Sequence, residues 1–310
     1  MQLALDENTI TRIMRDAFKV RTLRNDTEYA LIDGKGLTVA IDTITASSDI
    51  PKGMRLYDAA RKSVVACVSD FAAKGIKPQF GVVTITIPSS FTVKSTRDLA
   101  SGIASAAKKF DLKILGGDTS FGELSISVCL FGYSKNPVGR DGAKIGDGIF
   151  ATGWFGYSAA GLHLALSRKK PIGLFEIRAK KAFCTPNARL EFGIAASKHF
   201  SSSIDSSDGL AESLYELAQA SGKQFLLEKI PTPLGLVEFA KKYRVKSNDL
   251  LFYGGEEYEL VFTVPQKQWS IIHRLAIKHR VSLTRIGTVR SGKDIYLKHS
   301  SKTTKIFKHS

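Results

Sequence analysis

The sequence predicts an α/β chain of the α+β kind, folded as two units at residues 1–135 and 136–310. Three observations predict it. Strand and helix periodicities alternate through the first half, a stretch at 133–146 with Pro137 and several glycines interrupts them, and the alternation then restarts. A chain of 310 residues can also build two cores of ordinary size.

The first helix reads at 6–18, with Asn8 and Thr9 as its cap signal. Strands at 29–32 and 37–41 flank Asp33-Gly34, a hairpin turn pair. The clearest helix covers 55–75: Leu56, Ala60, Val64, Cys67, Val68 and Phe71 recur at helical spacing, Gly75 ends it, and Pro78 follows. A strand at 79–87, closed by Pro88, precedes an Ala-rich amphipathic helix at 96–110. A short buried strand at 112–115 is expected to run into Gly116-Gly117-Asp118-Thr119, and a long strand covers 123–133. The second unit reads as strand 148–152, helices 157–166 and 188–198, a strand near Ile204, helix 210–220 and strand 225–227. Strand 258–264, helix 267–279 and strands around 281–289 and 295–297 complete it, and 298–308 reads as a lysine-rich tail of low complexity.

Composition excludes several classes. A hydrophobic fraction of 43% with 24% charged residues is ordinary for a globular protein and argues against disorder. The first ten residues carry acids and no apolar run, so no secretory signal is expected, and no segment approaches the roughly 20 apolar residues of a membrane span. Cys67, Cys129 and Cys184 are far apart and read as buried, reduced thiols of a cytoplasmic protein, and the six histidines show no zinc-ligand spacing. The net charge of +16 invites a nucleic-acid reading. Against it, the basic residues are dispersed, with short clusters only at 168–170, 178–181 and the tail, and no nucleic-acid-binding signature occurs. A solvated basic surface, with a general attraction for phosphorylated small molecules, is the simpler reading.

The chemistry resides in carboxylates. No phosphate-binding Gly-x-x-x-x-Gly-Lys loop, protein-kinase catalytic loop or Gly-x-Ser-x-Gly motif is present. Instead Asp42 closes an apolar strand, Asp70 sits late in the buried helix, Asp118 follows a glycine pair, Asp205 and Asp208 bracket Ser206-Ser207, and Asp26 precedes the first hairpin. One such aspartate is ordinarily a cap or turn residue. The set is what Mg²⁺–nucleotide sites require: hard oxygen donors, few per ion, with glycines that let backbone N–H groups approach phosphate.

Five strings, collinear over residues 25–260, resemble those of the thiamine-monophosphate kinase family, within the superfamily shared with aminoimidazole ribonucleotide synthetase. They are Ser69-Asp70-Phe71-Ala72-Ala73-Lys74-Gly75 with Pro78, Gly116-Gly117-Asp118-Thr119, Arg140-x-Gly142-Ala143-Lys144-x-Gly146-Asp147, Asp205-Ser206-Ser207-Asp208-Gly209-Leu210 and Gly254-Gly255-Glu256-Glu257-Tyr258-Glu259-Leu260. The last resembles the Gly-Gly-Glu-Asp-Tyr-Glu-Leu string most characteristic of the kinase branch. The segment 47–51, Ser-Ser-Asp-Ile-Pro, resembles an archaeal variant. Departures are Thr27 in place of a second aspartate, Ala40 and Ile41 before Asp42, and Asp49 in place of an acceptor-site histidine.

The resemblance implies a two-domain aminoimidazole ribonucleotide synthetase-like fold, with an N-terminal ATP-binding and dimer-forming domain and a C-terminal α/β domain. It implies several Mg²⁺ ions held by Asp26, Asp42, Asp70, Asp118, Asp205 and Asp208. ATP contacts fall on Gly117, Asp118, Arg140 and Ser207, and acceptor contacts on Asp49 and Glu256. No residue is assigned as a general acid or base. The expected partners are ATP, thiamine monophosphate and a second copy of the chain, with no membrane and no nucleic acid, in the cytoplasm. The expected reaction moves the γ-phosphoryl group of ATP directly to thiamine monophosphate. The alternatives are a related ATP-dependent synthetase and a basic nucleic-acid-binding protein. Against the relatives, Asp42-Thr43-Ile44-Thr45 stands where the synthetase carries an Asp-Gly-Val-Gly-Thr-Lys-like loop, the first cysteine is Cys67, and the chain ends His309-Ser310 rather than in cysteine.

Overall fold

A computed structural model describes residues 7–18, 27–299 and 302–307. The first half runs α1 (Glu7–Phe18), β1 (Glu28–Ile32), β2 (Lys35–Thr45), α2 (Leu56–Lys74), β3 (Pro78–Ile87), α3 (Val93–Phe110), β4 (Lys113–Phe121) and β5 (Ser125–Tyr133). The second runs β6 (Gly148–Thr152), α4 (Tyr157–Leu166), α5 (Gly173–Cys184), α6 (Leu190–Ala196), β7 (Ser202–Asp205), α7 (Leu210–Ser221), β8 (Gln224–Leu227), α8 (Leu236–Tyr243) and α9 (Ser247–Phe252). It closes with β9 (Leu260–Val264), α10 (Trp269–Lys278), β10 (Leu283–Arg290), β11 (Ile295–His299) and β12 (Lys302–Ile306).

Two mixed sheets result. The first has the order β1-β2-β5-β3-β4, antiparallel except for the parallel pair β3–β4. The second has the order β12-β11-β8-β10-β6-β9-β7, antiparallel except for β8–β11. The predicted α/β class and the hairpin at Asp33-Gly34 are present, with both turn residues at positive φ.

Helix α2 joins the sheets. Fifteen of its 19 residues are buried, too many for one apolar stripe, because the helix is covered on both sides. Val64, Cys67, Val68 and Phe71 share one continuous core with Ile126, Val128 and Leu130 of β5 and with Phe192, Leu260 and Phe262 of the second half. The helix ends where expected. Gly75 takes φ 69°, its N–H reaches the Ala72 carbonyl and Ile76 N–H reaches Phe71 O at 3.0 Å, a Schellman closure that a left-handed residue must supply. On the second sheet, Phe150 faces this core while Ile149 and Ala151 face a second one built with α4, α7, α8 and α9. Strands β6, β7 and β9 are therefore buried on both faces.

Several expectations are corrected. The strand expected at 112–115 as buried is instead β4, a largely exposed edge strand that contains Gly116-Gly117-Asp118-Thr119 rather than leading into it. The lysine-rich tail contributes β12, paired with β11, and its Lys305 suits an exposed edge. Helices α5, α8 and α9 were not anticipated. Of the cysteines only Cys67 is buried, while Cys129 and Cys184 are half-buried.

Candidate active site at the junction of the two sheets

Four segments converge beside α2. From β2, Asp42 projects on the side facing α2, since its neighbours Ala40 and Ile44 are core residues and side chains alternate along a strand. The turn that follows places Asp49, whose Oδ2 accepts from Thr45 N at 2.7 Å and Ser48 Oγ at 2.6 Å. From α2 come Lys62, Asp70 and Lys74, the last two at i and i+4 on one face. Strand β7 ends at Asp205 and passes through Ser206, Ser207 and Asp208 into α7.

The fourth segment, 253–259, lies against that turn. Glu256 N donates to Ser207 O at 2.5 Å, Tyr258 N to Ser206 O at 3.0 Å, and Ser206 N to Glu259 O at 2.8 Å. Two motifs about fifty residues apart in sequence are thus zipped by backbone bonds. Glu256 and Tyr258 hold φ 63° and 52°, a left-handed conformation that costs energy in non-glycine residues and is over-determined here by those bonds. The three glutamates of the motif then diverge. Glu256 turns to the site and pairs with the fully buried Lys62. Glu257 accepts from Gly156 N at 2.7 Å and Ser158 N at 2.9 Å at the start of α4. Glu259 accepts from Arg189 Nε at 2.6 Å and from Thr152 Oγ1 at 2.6 Å.

The acids crowd one another. Burial raises the Asp70 carboxyl well above the usual carboxylate range, and Asp205 and Asp42 add to the shift against the opposing pull of Lys74. Burial pushes Asp205 up to about 6. Asp42 is raised by burial and then by Asp49 and Asp208, with Thr43 N–H and Lys62 opposing. Burial likewise raises Glu256, against Lys62. The same desolvation takes Lys74 down to about 8 despite Asp70 and Asp205 beside it.

This arrangement brings together Asp42, Asp49, Asp70, Asp205, Asp208 and Glu256 of the residues singled out in the sequence, with Ser207 in the same turn. Arg140 is half-buried: its Nη1 meets Glu216 Oε2 at 3.3 Å, and it feels Asp205 and Asp208 from the edge of the cluster. At Asp208 the alternative role was an N-cap, but the cap position of α7 is Gly209. Asp26 lies outside the described residues.

Gly117 and Asp118 are not brought to the cluster within one chain. Pairing aligns Asp42, Val128, Val83 and Gly117 in one row facing α2, and Thr43, Ser127, Thr84 and Asp118 in the adjacent row on the opposite face. Three strand spacings separate Asp42 from Gly117, about 14 Å. Gly117 also has a packing reason to be glycine, since a Cβ there would stand 1.7 Å from Val83 O.

Sequence reasoning missed Lys62, Lys74 and Arg189. The signal was present for the lysines: they occupy a helix with a long apolar run through 64–68 and 71–73, and an ammonium buried there needs a carboxylate partner. Arg189 carried none, because its partner Glu259 lies seventy residues away.

The donors fit Mg²⁺. They are carboxylate oxygens, Asp205 Oδ2 is buried without a hydrogen-bond partner, and the crowding that raises these acids is what a bound cation would relieve. Among the described residues no group of three or more His, Cys, Asp or Glu side chains is arranged to hold a metal ion by itself. That suits an ion that keeps waters and binds phosphate oxygens.

Comparison with known proteins agrees with this geometry. Residues 25–134 match the family model of AIR synthase related protein, N-terminal domain. The thiamine-monophosphate kinase of Nitrosopumilus maritimus is 42% identical over 96% of this chain and 95% of its own length. A solved structure of AaThiL complexed with AMPPCP and TMP superposes with a TM-score of 0.87 at 27% identity, covering 99% of each chain. The crystal structure of thiamine monophosphate kinase from Aquifex aeolicus superposes with a TM-score of 0.85 at 26% identity, covering 96% of this chain and 98% of that one. The chain belongs to the thiamine-monophosphate kinase family.

Proposed function

We propose that this protein transfers the γ-phosphoryl group of ATP to thiamine monophosphate, giving thiamine diphosphate and ADP. The carrying observation is the junction itself: Asp42, Asp70, Asp205 and Asp208 face one another across the two sheets, with Glu256 beside them on Lys62. The likeness to a kinase complexed with AMPPCP and TMP supports the choice of substrates.

In such a reaction two phosphate groups must meet, so their repulsion is the main obstacle. Bound Mg²⁺ would offset that charge and align the phosphate oxygens. Asp26, Asp42, Asp70, Asp118, Asp205 and Asp208 are the proposed ligands. Gly117, Asp118, Arg140 and Ser207 are the proposed ATP contacts, and Asp49 and Glu256 the acceptor contacts. The acceptor phosphate is already ionised, so no base is required and none is assigned. Lys62 and Lys74 balance part of the acid charge from behind, where they touch no solvent.

A homodimer across the open face of the first sheet belongs to this reading. Ile32, Ile41, Val82 and Tyr133 stand exposed there, apolar side chains on the face away from α2. Asp118 shares that face, opposite to Asp42, so its proposed metal contact depends on how the second copy is placed rather than on its own chain's acid cluster. The division at residues 135 and 136 falls between the last strand of one sheet and the first of the other. A cytoplasmic location fits the free cysteines, and among the described residues no helix is long and apolar enough to cross a membrane.

The test is direct. Purified protein with ATP, Mg²⁺ and thiamine monophosphate should form thiamine diphosphate, and ATP hydrolysis without that product would remove the acceptor assignment. Glu256→Gln should raise KM for thiamine monophosphate and spare KM for ATP. Asp208→Asn should lower turnover by orders of magnitude without lowering Tm.

A further inference from the structure

The last residue of α2, Lys74, is a fully buried lysine where the two halves of the chain meet. Its Nζ lies 3.5 Å from Ser203 O on β7, and the carboxylates whose charge it feels are Asp70, Asp205 and Asp141. Asp70 stands one turn before it on α2, Asp205 two residues past Ser203 on β7, and Asp141 in the segment that joins β5 to β6. Backbone bonds fix the frame around the ammonium. Val138 N donates to Lys74 O at 3.3 Å, and Ser203 N to Gly139 O at 3.0 Å, so the joining segment ties the end of α2 to β7.

A lysine at a helix end ordinarily serves the carbonyls of the last turn. That role does not account for this one. Helical side chains lean toward the N-terminus, which carries the ammonium back over Asp70 and away from the helix end. A cation that served only the carbonyls would also stay in water, since burying it is costly unless acids surround it. An apolar side chain would fill the same space without that cost. What the charge does here is electrostatic. Asp70 and Asp205 come from different halves and repel each other in the junction, and Lys74 pulls against that repulsion at both.

We propose that Lys74 is a positioning residue for the kinase site: a tethered cation that holds Asp70 and Asp205 together in the metal-free protein and opposes the binding of free metal to them. This role rests on Asp70 and Asp205 being Mg²⁺ ligands. With Lys74 between them, the two acids keep their places on α2 and β7 before any metal arrives. The same ammonium cancels part of the charge that would attract a divalent ion and repels the ion itself. The resting site is therefore aligned but binds free metal weakly.

The experiment uses the full chain at pH 7 without nucleotide. Mn²⁺ is the probe, with the free ion read by its paramagnetic resonance, and Tm is taken in EDTA and in Mg²⁺. Lys74→Met should bind Mn²⁺ at least about tenfold more tightly than wild type, lose Tm in EDTA, and recover most of that loss in Mg²⁺, because tighter metal binding stabilises more. Lys74→Gln, also neutral, should do the same and serves if the methionine variant does not fold. In wild type, amide hydrogen exchange at 202–205 should be equally slow with and without Mg²⁺, a measurement that needs no variant. Unchanged or weaker Mn²⁺ affinity in a folded variant overturns the proposal, as does an equal loss of Tm in EDTA and Mg²⁺, which is what packing alone would give. Protection of 202–205 that requires Mg²⁺ overturns it too. Mn²⁺ binding that Asp205→Asn leaves unchanged overturns instead the ligand role of Asp205 on which the proposal stands.

Discussion

Replacing Lys62 by Met tests the junction most directly. Lys62 rises from the helix shared by both sheets, is fully buried, and pairs with Glu256, whose side chain is 25% exposed. Methionine preserves most of the volume and the contact with Phe183 while deleting the charge. A contact ion pair at ~4 Å is worth about 4 kcal/mol at an effective dielectric of 20, and desolvation of the ammonium cancels a large part of it. Removing one partner of a buried pair costs about 3–5 kcal/mol when the other is left without compensation. Because Glu256 retains some solvent and can take up a proton, the expected loss falls below that range, at about 2 kcal/mol. Urea unfolding at neutral pH measures it. Kinetics should show a raised KM for thiamine monophosphate with KM for ATP unchanged, since Glu256 loses its anchor. In a double-mutant cycle with Glu256→Gln the coupling should be about 1–3 kcal/mol, the second substitution removing the orphaned charge. A coupling below about 0.5 kcal/mol, or equal effects on both substrates, would refute the role given to this pair.

Three further outcomes follow from named positions. Asp205→Asn, studied without metal, should be more stable than wild type by about 1–3 kcal/mol at pH 8: with its folded pKa raised to about 6, Asp205 contributes stability below pH 4 that is lost as pH rises through 6, and a flat difference across that window would contradict the burial argument. Asp118→Asn should nearly abolish turnover at unchanged Tm, because the residue lies on an exposed strand; activity within about threefold of wild type, about 0.7 kcal/mol, would remove it from the site. Gly75→Ala should cost about 2–4 kcal/mol in chemical unfolding, since φ is 69° and the new Cβ would stand 2.0 Å from Ser197 Cβ; a loss below about 1 kcal/mol would show that the helix end yields.

Local signals were the most legible part of the site. Gly75, the Asp33-Gly34 hairpin and the bounds of β6 and α4 follow from rules that act within a few residues, turn geometry and side-chain periodicity. The motif acids were also visible as types, because carboxylates beside small residues at the ends of apolar runs have few other uses. Their partners were not. Whether Arg140 is exposed or paired with Glu216 depends on where α7 packs, and no periodicity carries that information. The short helices α8 and α9 escaped for a related reason: segments of eight and six residues form through tertiary packing rather than propensity.

The amino-acid sequence by itself determined the class of the chain, its family and the identity of the acids, since composition, periodicity and motif order are properties of the linear chain. Only the tertiary structure decided which of those acids meet. Asp42 and Asp118 look alike in sequence, each near the end of an apolar stretch, yet the pleat of one sheet sends them to opposite faces. The same holds for the three glutamates at 256, 257 and 259: within four residues, they serve the site, a helix start and Arg189, because the backbone at 256 and 258 is held at positive φ by bonds to a strand end fifty residues earlier. Face and direction are set by long-range pairing, and that is the information a local reading of the chain does not contain.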